Sequence, residues 1–130
     1  MARILVVDDS ESYAEFTRAA LAPLHDVDIA HNGREAARLA WQSHYDLIIT
    51  DIFMPEGDGF ETMRDMRRAL PKVPIIAMSG SPAGSPDYLR IAANLGASDT
   101  IRKPFQPSDL TRAVAAQLQA SPKAPVKARY

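Results

Sequence analysis

Five times along this chain a short apolar run stops on or beside a polar residue and an amphipathic stretch follows. The runs cover residues 4–7, 27–30, 47–50, 75–78 and 100–102. The first, third and fourth are rich in β-branched and aliphatic residues, the signature of strands buried on both faces. Between them, residues 11–21 place Tyr13, Phe16, Ala20 and Leu21 near helical spacing. Residues 34–42 do so with Ala36, Ala37, Leu39 and Ala40, after an Asn32-Gly33 turn. Asp58 and Glu61 form a capping-box-like pair for a helix that Pro71 ends. Ser85-Pro86 supplies a cap and a first-turn proline for a helix to 95, with Gly96 as its C′ residue. Pro107 opens a last helix to 120. Strands separated by helices require right-handed crossovers. The expectation is an α/β fold, a doubly wound five-stranded parallel sheet with helices on both faces and the flavodoxin-like order 2-1-3-4-5.

A chain of 130 residues fits one domain. Residues 1–120 carry the alternation; 121–130, SPKAPVKARY, read as a basic, Pro-containing tail. Hydrophobic residues make up 46 %, enough for an ordinary core. Fifteen basic residues against sixteen acidic ones give no reason to expect direct binding of nucleic acid or a membrane surface. There is no cysteine, hence no disulfide framework and no thiolate metal site. The N-terminal apolar run is too short for a signal peptide, and no run is long enough for a membrane span. The expected compartment is the cytoplasm.

The polar residues that end the runs are unlike one another and chemically matched. Asp8 and Asp9 follow the first, Asp51 the third, Ser79 the fourth and Lys103 the fifth. In an open α/β sheet the carboxyl ends share one crevice, centred where the strand order reverses. Order 2-1-3-4-5 puts that point between the first and third strands, with Asp8 and Asp9 beside Asp51. Three carboxylates so close repel, and one ammonium does not neutralise them. Hard oxygen ligands of this kind suit Mg²⁺ or Mn²⁺. A carboxylate nucleophile, a metal, a lysine and a hydroxyl are the parts for phosphoryl transfer to aspartate. Taken singly, Asp8-Asp9 reads equally well as a helix cap, and Asp51 as a strand-terminating acid.

Four segments in order, ILVVDDS, LIITDIFMPEGDGF, IIAMSG and GASDTIRKPF, resemble the receiver domain of bacterial response regulators over about residues 3–119. The likeness implies Asp51 as phospho-acceptor, with Lys103 and Ser79 as its phosphate-binding partners. It implies metal held by Asp9 directly, by Asp8 through water, by Asp51, and by the backbone carbonyl of Phe53. Lys103-Pro104 matches the family's cis peptide, and Pro55, Gly57 and Gly59 its shaped loop. Implied partners are a sensor histidine kinase or a histidine phosphotransfer protein, with docking near the face that carries Tyr13. The chain is then no enzyme toward other molecules; it catalyses only its own phosphorylation and dephosphorylation and switches a protein-binding surface. With only ten residues after 120, it reads as a stand-alone, chemotaxis-type receiver, or as the N-terminal receiver of a longer regulator.

One position departs from the family pattern. Three residues before the lysine the family usually has Tyr or Phe; here Thr100 stands, with no ring to swing. That keeps open a receiver-fold module acting without phosphate. An aspartate-based phosphatase wants a second acid two residues after the nucleophile, where Phe53 stands. A flavin carrier is disfavoured because Asp8 and Asp9 repel a phosphate. Of the remaining residues, Phe16, Phe60, Met63 and Met66 read as core, Trp41 as partly buried, and His25, His31 and His44 as surface. Arg64, Arg67 and Arg68 read as a solvated face.

Overall fold

The computed structural model describes residues 1–52, 59–80 and 88–120, with the backbone alone at residue 88. Ten elements alternate as expected: β1 (Arg3–Val7), α1 (Glu11–Leu21), β2 (Asp26–Ala30), α2 (Gly33–Gln42), β3 (Leu47–Asp51), α3 (Gly59–Ala69), β4 (Ile75–Ser79), α4 (Tyr88–Asn94), β5 (Asp99–Arg102) and α5 (Pro107–Ala120). All strand pairs are parallel, in the order β2-β1-β3-β4-β5. The expected fold class is therefore the one observed. The cap expected at Asp58, the Ser85-Pro86 helix start and the 121–130 tail lie outside the described residues.

Strand alternation divides the core in two. Ile4 and Val6 of β1, Leu47 and Ile49 of β3, and Ile76 and Met78 of β4 pack with Leu21, Leu110 and Val114, on the α1 and α5 side. Leu5, Val7, Ile48, Ile75 and Ala77 pack with Ala36, Met63, Met66 and Ala92, on the side of α2, α3 and α4. The central strands β3 and β4 are buried at every residue, as a sheet covered on both faces requires.

Local chemistry sets the helix ends. Ser10 accepts from the Tyr13 amide at 3.3 Å and starts α1; Asn32 accepts from the Glu35 amide at 2.8 Å and starts α2. Gly96, just past α4, has φ +108°, the left-handed conformation that favours glycine at a helix C-terminus. Gly59 opens α3 against the end of β3, where a Cβ would collide with the backbone of Ile52.

Two surface assignments change. Trp41 is 70 % exposed instead of partly buried. The buried face of α2 is supplied by Ala36 and Ala40, and the next residue turns about 100° away from it. Arg67 is not on a solvated face: its guanidinium donates to the carbonyls of Pro71, Val73 and Gly96 at 3.0, 2.7 and 3.0 Å. It ties the end of α3 to the turn after α4. Among the described residues no helix is long and apolar enough to cross a membrane.

Leu110 of α5 is fully buried against the sheet. Leu110→Ala should lower the unfolding free energy by about 2–5 kcal/mol. Trp41→Ala should stay within about 0.5 kcal/mol of wild type. Urea denaturation followed by far-UV circular dichroism checks both.

Candidate functional site

The register of the sheet explains which side chains meet. Asp51 ends β3 on the same side as Leu47 and Ile49. Asp8 continues the alternation of Ile4 and Val6, its amide still paired to the Ala30 carbonyl at 3.0 Å. Lys103 continues that of Ile101, its amide paired to the Ser79 carbonyl at 2.9 Å. All three therefore emerge on the α1/α5 side of the sheet. Ser79 follows Ile75 and Ala77 toward the other side.

The Lys103 ammonium lies between two carboxylates. Its Nζ donates to Asp8 Oδ2 at 2.8 Å and to Asp51 Oδ2 at 3.1 Å. Asp8 is fully buried, Asp51 nearly so, and the lysine side chain is 12 % exposed. Asp9 is exposed, yet it offers a carboxylate oxygen to the same place: atoms of Asp8, Asp9 and Asp51 all lie within 4.8 Å of one another. Asp8 also does cap-like work, since its Oδ1 accepts from the Ser10 amide at 3.0 Å. The helix cap itself is Ser10.

Charge does not balance here. At 4.8 Å two unit charges repel by on the order of 3 kcal/mol at an effective dielectric near 20. One ammonium faces three carboxylates. Burial works against the charge of Lys103, but the hydrogen bond it donates to Asp8 and the charges of Asp51 and Asp8 outweigh it, so its pKa is raised above the ordinary lysine value. A raised folded-state pKa gives stability that is complete below the unfolded value, about 10.4. That stability is lost only as pH rises through the folded value. Across neutral pH the lysine is a fixed cation.

Ser79 is buried at the end of β4, and Thr100 is half-buried on β5, opposite Ala77. The Lys103-Pro104 peptide is cis. Phe53, Pro55 and Gly57 lie outside the described residues, so the structure describes the acidic cluster and lysine without the loop that follows Asp51.

A family profile described as the response regulator receiver domain matches residues 4–115. The chain belongs to the response regulator receiver family. It is 36 % identical over 110 residues to transcriptional regulatory protein DltR of Streptococcus agalactiae, covering 83 % of this chain and 48 % of that protein. It is 33 % identical over 120 residues to the alkaline phosphatase synthesis transcriptional regulatory protein PhoP of Bacillus subtilis, covering 92 % and 49 %. The chain thus spans about half the length of these curated relatives. Among solved structures it resembles a CheY-like receiver domain protein from Methanospirillum hungatei, with TM-score 0.85 and 27 % identity over 95 % of this chain and 98 % of that one. It also resembles the chemotaxis protein CheY4 of Vibrio cholerae, with TM-score 0.80 and 31 % identity over 90 % and 98 %.

Two contacts of this receiver domain are invisible in its sequence. The Tyr13 ring stands over the Lys103 ammonium, with 4.1 Å from Nζ to the ring centroid. His31 Nδ1 lies 3.3 Å from the Asp8 carbonyl oxygen. Ninety residues separate Tyr13 from Lys103, and only the sheet order and the packing of α1 join them. Phe16, read as core, is 39 % exposed and packs on the rings of Tyr13 and Phe105.

The donor set fits a hard divalent cation: carboxylate oxygens in excess of positive charge, one of them on an exposed side chain open to exchange with water. Adding Mg²⁺ or Mn²⁺ at concentrations well above its Kd should raise the thermal midpoint, because the ion binds the folded state alone. Asp9→Ala should lose most of that rise while melting normally without metal. Differential scanning fluorimetry across a metal titration reads both.

Proposed function

We propose that this receiver domain accepts a phosphoryl group on Asp51 from a phosphohistidine and thereby switches a protein-binding surface in two-component or phosphorelay signalling. The observation that carries this reading is one ammonium shared by two buried carboxylates, at 2.8 and 3.1 Å. A structural ion pair has no need for the second and third acids, whose mutual repulsion opposes folding. A site that must gather an incoming phosphoryl group has a use for every part.

An Asp51 carboxylate oxygen attacks phosphorus. The P–N bond to the donor histidine breaks, and the imidazole nitrogen keeps the electron pair and takes up a proton. Lys103, already charged at the site, leaves Asp51 Oδ2 for an oxygen of the arriving group. Ser79 donates its hydroxyl to another. Asp8, Asp9, Asp51 and the Phe53 carbonyl would hold Mg²⁺ or Mn²⁺, which supplies charge neutralisation for the phosphoryl oxygens. Water attack on the acyl phosphate later returns the free carboxylate. Catalysis is confined to the chain's own phosphorylation and dephosphorylation.

Residues 1–120 act as the receiver and 121–130 as a linker-like tail. Partners are a sensor histidine kinase or a histidine phosphotransfer protein, in the cytoplasm. The named relatives are transcriptional regulators about twice as long as the matched region. The same site chemistry serves a receiver that works alone and one joined to an effector. A receiver fold working without phosphate is the weaker reading, because it leaves the clustered acids without a use.

Acetyl phosphate with Mg²⁺ should add one phosphoryl group to the wild-type protein by intact-mass measurement, and none to Asp51→Asn. A wild-type mass that stays unchanged would sink the phospho-acceptor assignment. Lys103→Ala should still bind metal, yet show little of the phosphorylation-dependent change in ¹H–¹⁵N spectra that wild type shows. A wild-type response in that variant removes Lys103 from the proposed role.

A further inference from the structure

Lys103 has a third neighbour besides its two carboxylates. The Tyr13 ring covers the ammonium with its face, 4.1 Å from Nζ to centroid, which is well inside cation–π range. The ring is not loosely placed. Its backbone sits in the first turn of α1, where the Tyr13 amide donates to Ser10 Oγ at 3.3 Å and the Thr17 hydroxyl donates to the Tyr13 carbonyl at 3.0 Å. The ring also packs on two further rings. Tyr13 meets Phe16 at 5.4 Å and Phe105 at 5.5 Å between centroids, both nearly perpendicular, and Phe16 meets Phe105 at 5.9 Å. Phe105 is buried against the α1/α5 core, whereas Phe16 is 39 % exposed. An unbroken line of contacts thus runs from the ammonium to the protein surface.

That line lies on the opposite side of the sheet from Thr100. Thr100 pairs with Ala77, whose side chain belongs to the core under α2, α3 and α4. Asp8, Asp51, Lys103 and the three rings share the α1/α5 side. A ring at position 100 is absent, and the ring that touches the ammonium, with the two packed on it, is on the other layer.

We propose that Tyr13 is a positioning residue for Lys103, holding the ammonium by its ring face, and that the Tyr13–Phe16–Phe105 cluster carries a change at the ammonium to the exposed side chain of Phe16. The second half rests on the phospho-acceptor reading of Asp51. When an arriving phosphoryl group takes the lysine from Asp51 Oδ2, the cation moves relative to the ring. The ring is packed against two others at steep angles, so it does not follow without disturbing them.

Two measurements separate the halves. In the unphosphorylated protein, ¹H–¹³C spectra should show the Lys103 ε-CH₂ signal shifted upfield of the other lysines by the ring current, with a nuclear Overhauser contact to the Tyr13 ring protons. Tyr13→Phe should retain the shift; Tyr13→Leu, which keeps apolar bulk and has no π face, should lose it. An unshifted wild-type signal with no contact overturns the positioning role, whatever the variants do. In the second measurement, acetyl phosphate and Mg²⁺ are added and uptake is verified by mass. The Phe16 and Phe105 ring signals should then move in wild type and Tyr13→Phe, and move several-fold less in Tyr13→Leu. A mass gain with stationary Phe16 and Phe105 signals, or an undiminished response in Tyr13→Leu, overturns the relay. Absence of the mass gain overturns the phospho-acceptor reading and the relay with it, and leaves the positioning role to be decided by the first measurement.

Discussion

A single ammonium group holds this site together. Lys103 Nζ bridges Asp8 and Asp51, two carboxylates almost wholly removed from water at the ends of the adjacent strands β1 and β3. It offsets much of the cost of holding both acids so deep, because a buried charge without a counter-charge is strongly destabilising. The lysine in turn stays charged because those acids outweigh the effect of its own burial. Each member of the trio therefore needs the other two, and the third acid, Asp9, leaves the set short of positive charge. That deficit is what fits the site to a divalent cation.

The sheet exists in a form that makes this meeting possible. Asp8 and Asp51 become neighbours because β1 and β3 pair directly, with Val7 opposite Thr50. Lys103 reaches them from the far edge by a long side chain that crosses over the end of β4. Side-chain alternation then does the sorting. Asp8, Asp51 and Lys103 share the parity of the α1/α5 core, while Ser79 and Thr100 share that of the opposite layer. The two layers are thereby given different contents at the same crevice: charge and aromatic rings on one, a hydroxyl and a threonine on the other. A receiver that lacks a ring at position 100 still has a ring, that of Tyr13, in contact with its charged centre.

Much of this was legible without coordinates, and the reason is specific to strand ends. An apolar run that stops on a carboxylate marks both a buried strand and the point where it leaves the core, so β1, β3, β4 and β5 each announced their own polar residue. The glycine after α4 was a local signal of the same kind, whereas the caps at Ser10 and Asn32 emerged from the structure, Asn32 having read as a turn and Asp8-Asp9 as the cap pair. Surface placement was less legible. Trp41 is large and apolar, yet helical phase turns it away from a face already filled by Ala36 and Ala40. Arg67 sits in a basic cluster, yet three backbone carbonyls that converge on it were not readable from its neighbours in the chain.

The sequence by itself determined the alternating α/β class, the five strands, the membership of the acidic cluster and the lysine that answers it. These follow from patterns of period two and 3.6 and from residues adjacent in the chain, which local stereochemistry alone controls. Only the tertiary structure decided that the ammonium would be divided between Asp8 and Asp51, that Tyr13 would cover it, and that Phe16 would carry that contact to the surface. The contacts of Lys103 join residues scores of positions apart, and all of them are set by how two helices pack on one face of the sheet. Chain order carries no direct record of them.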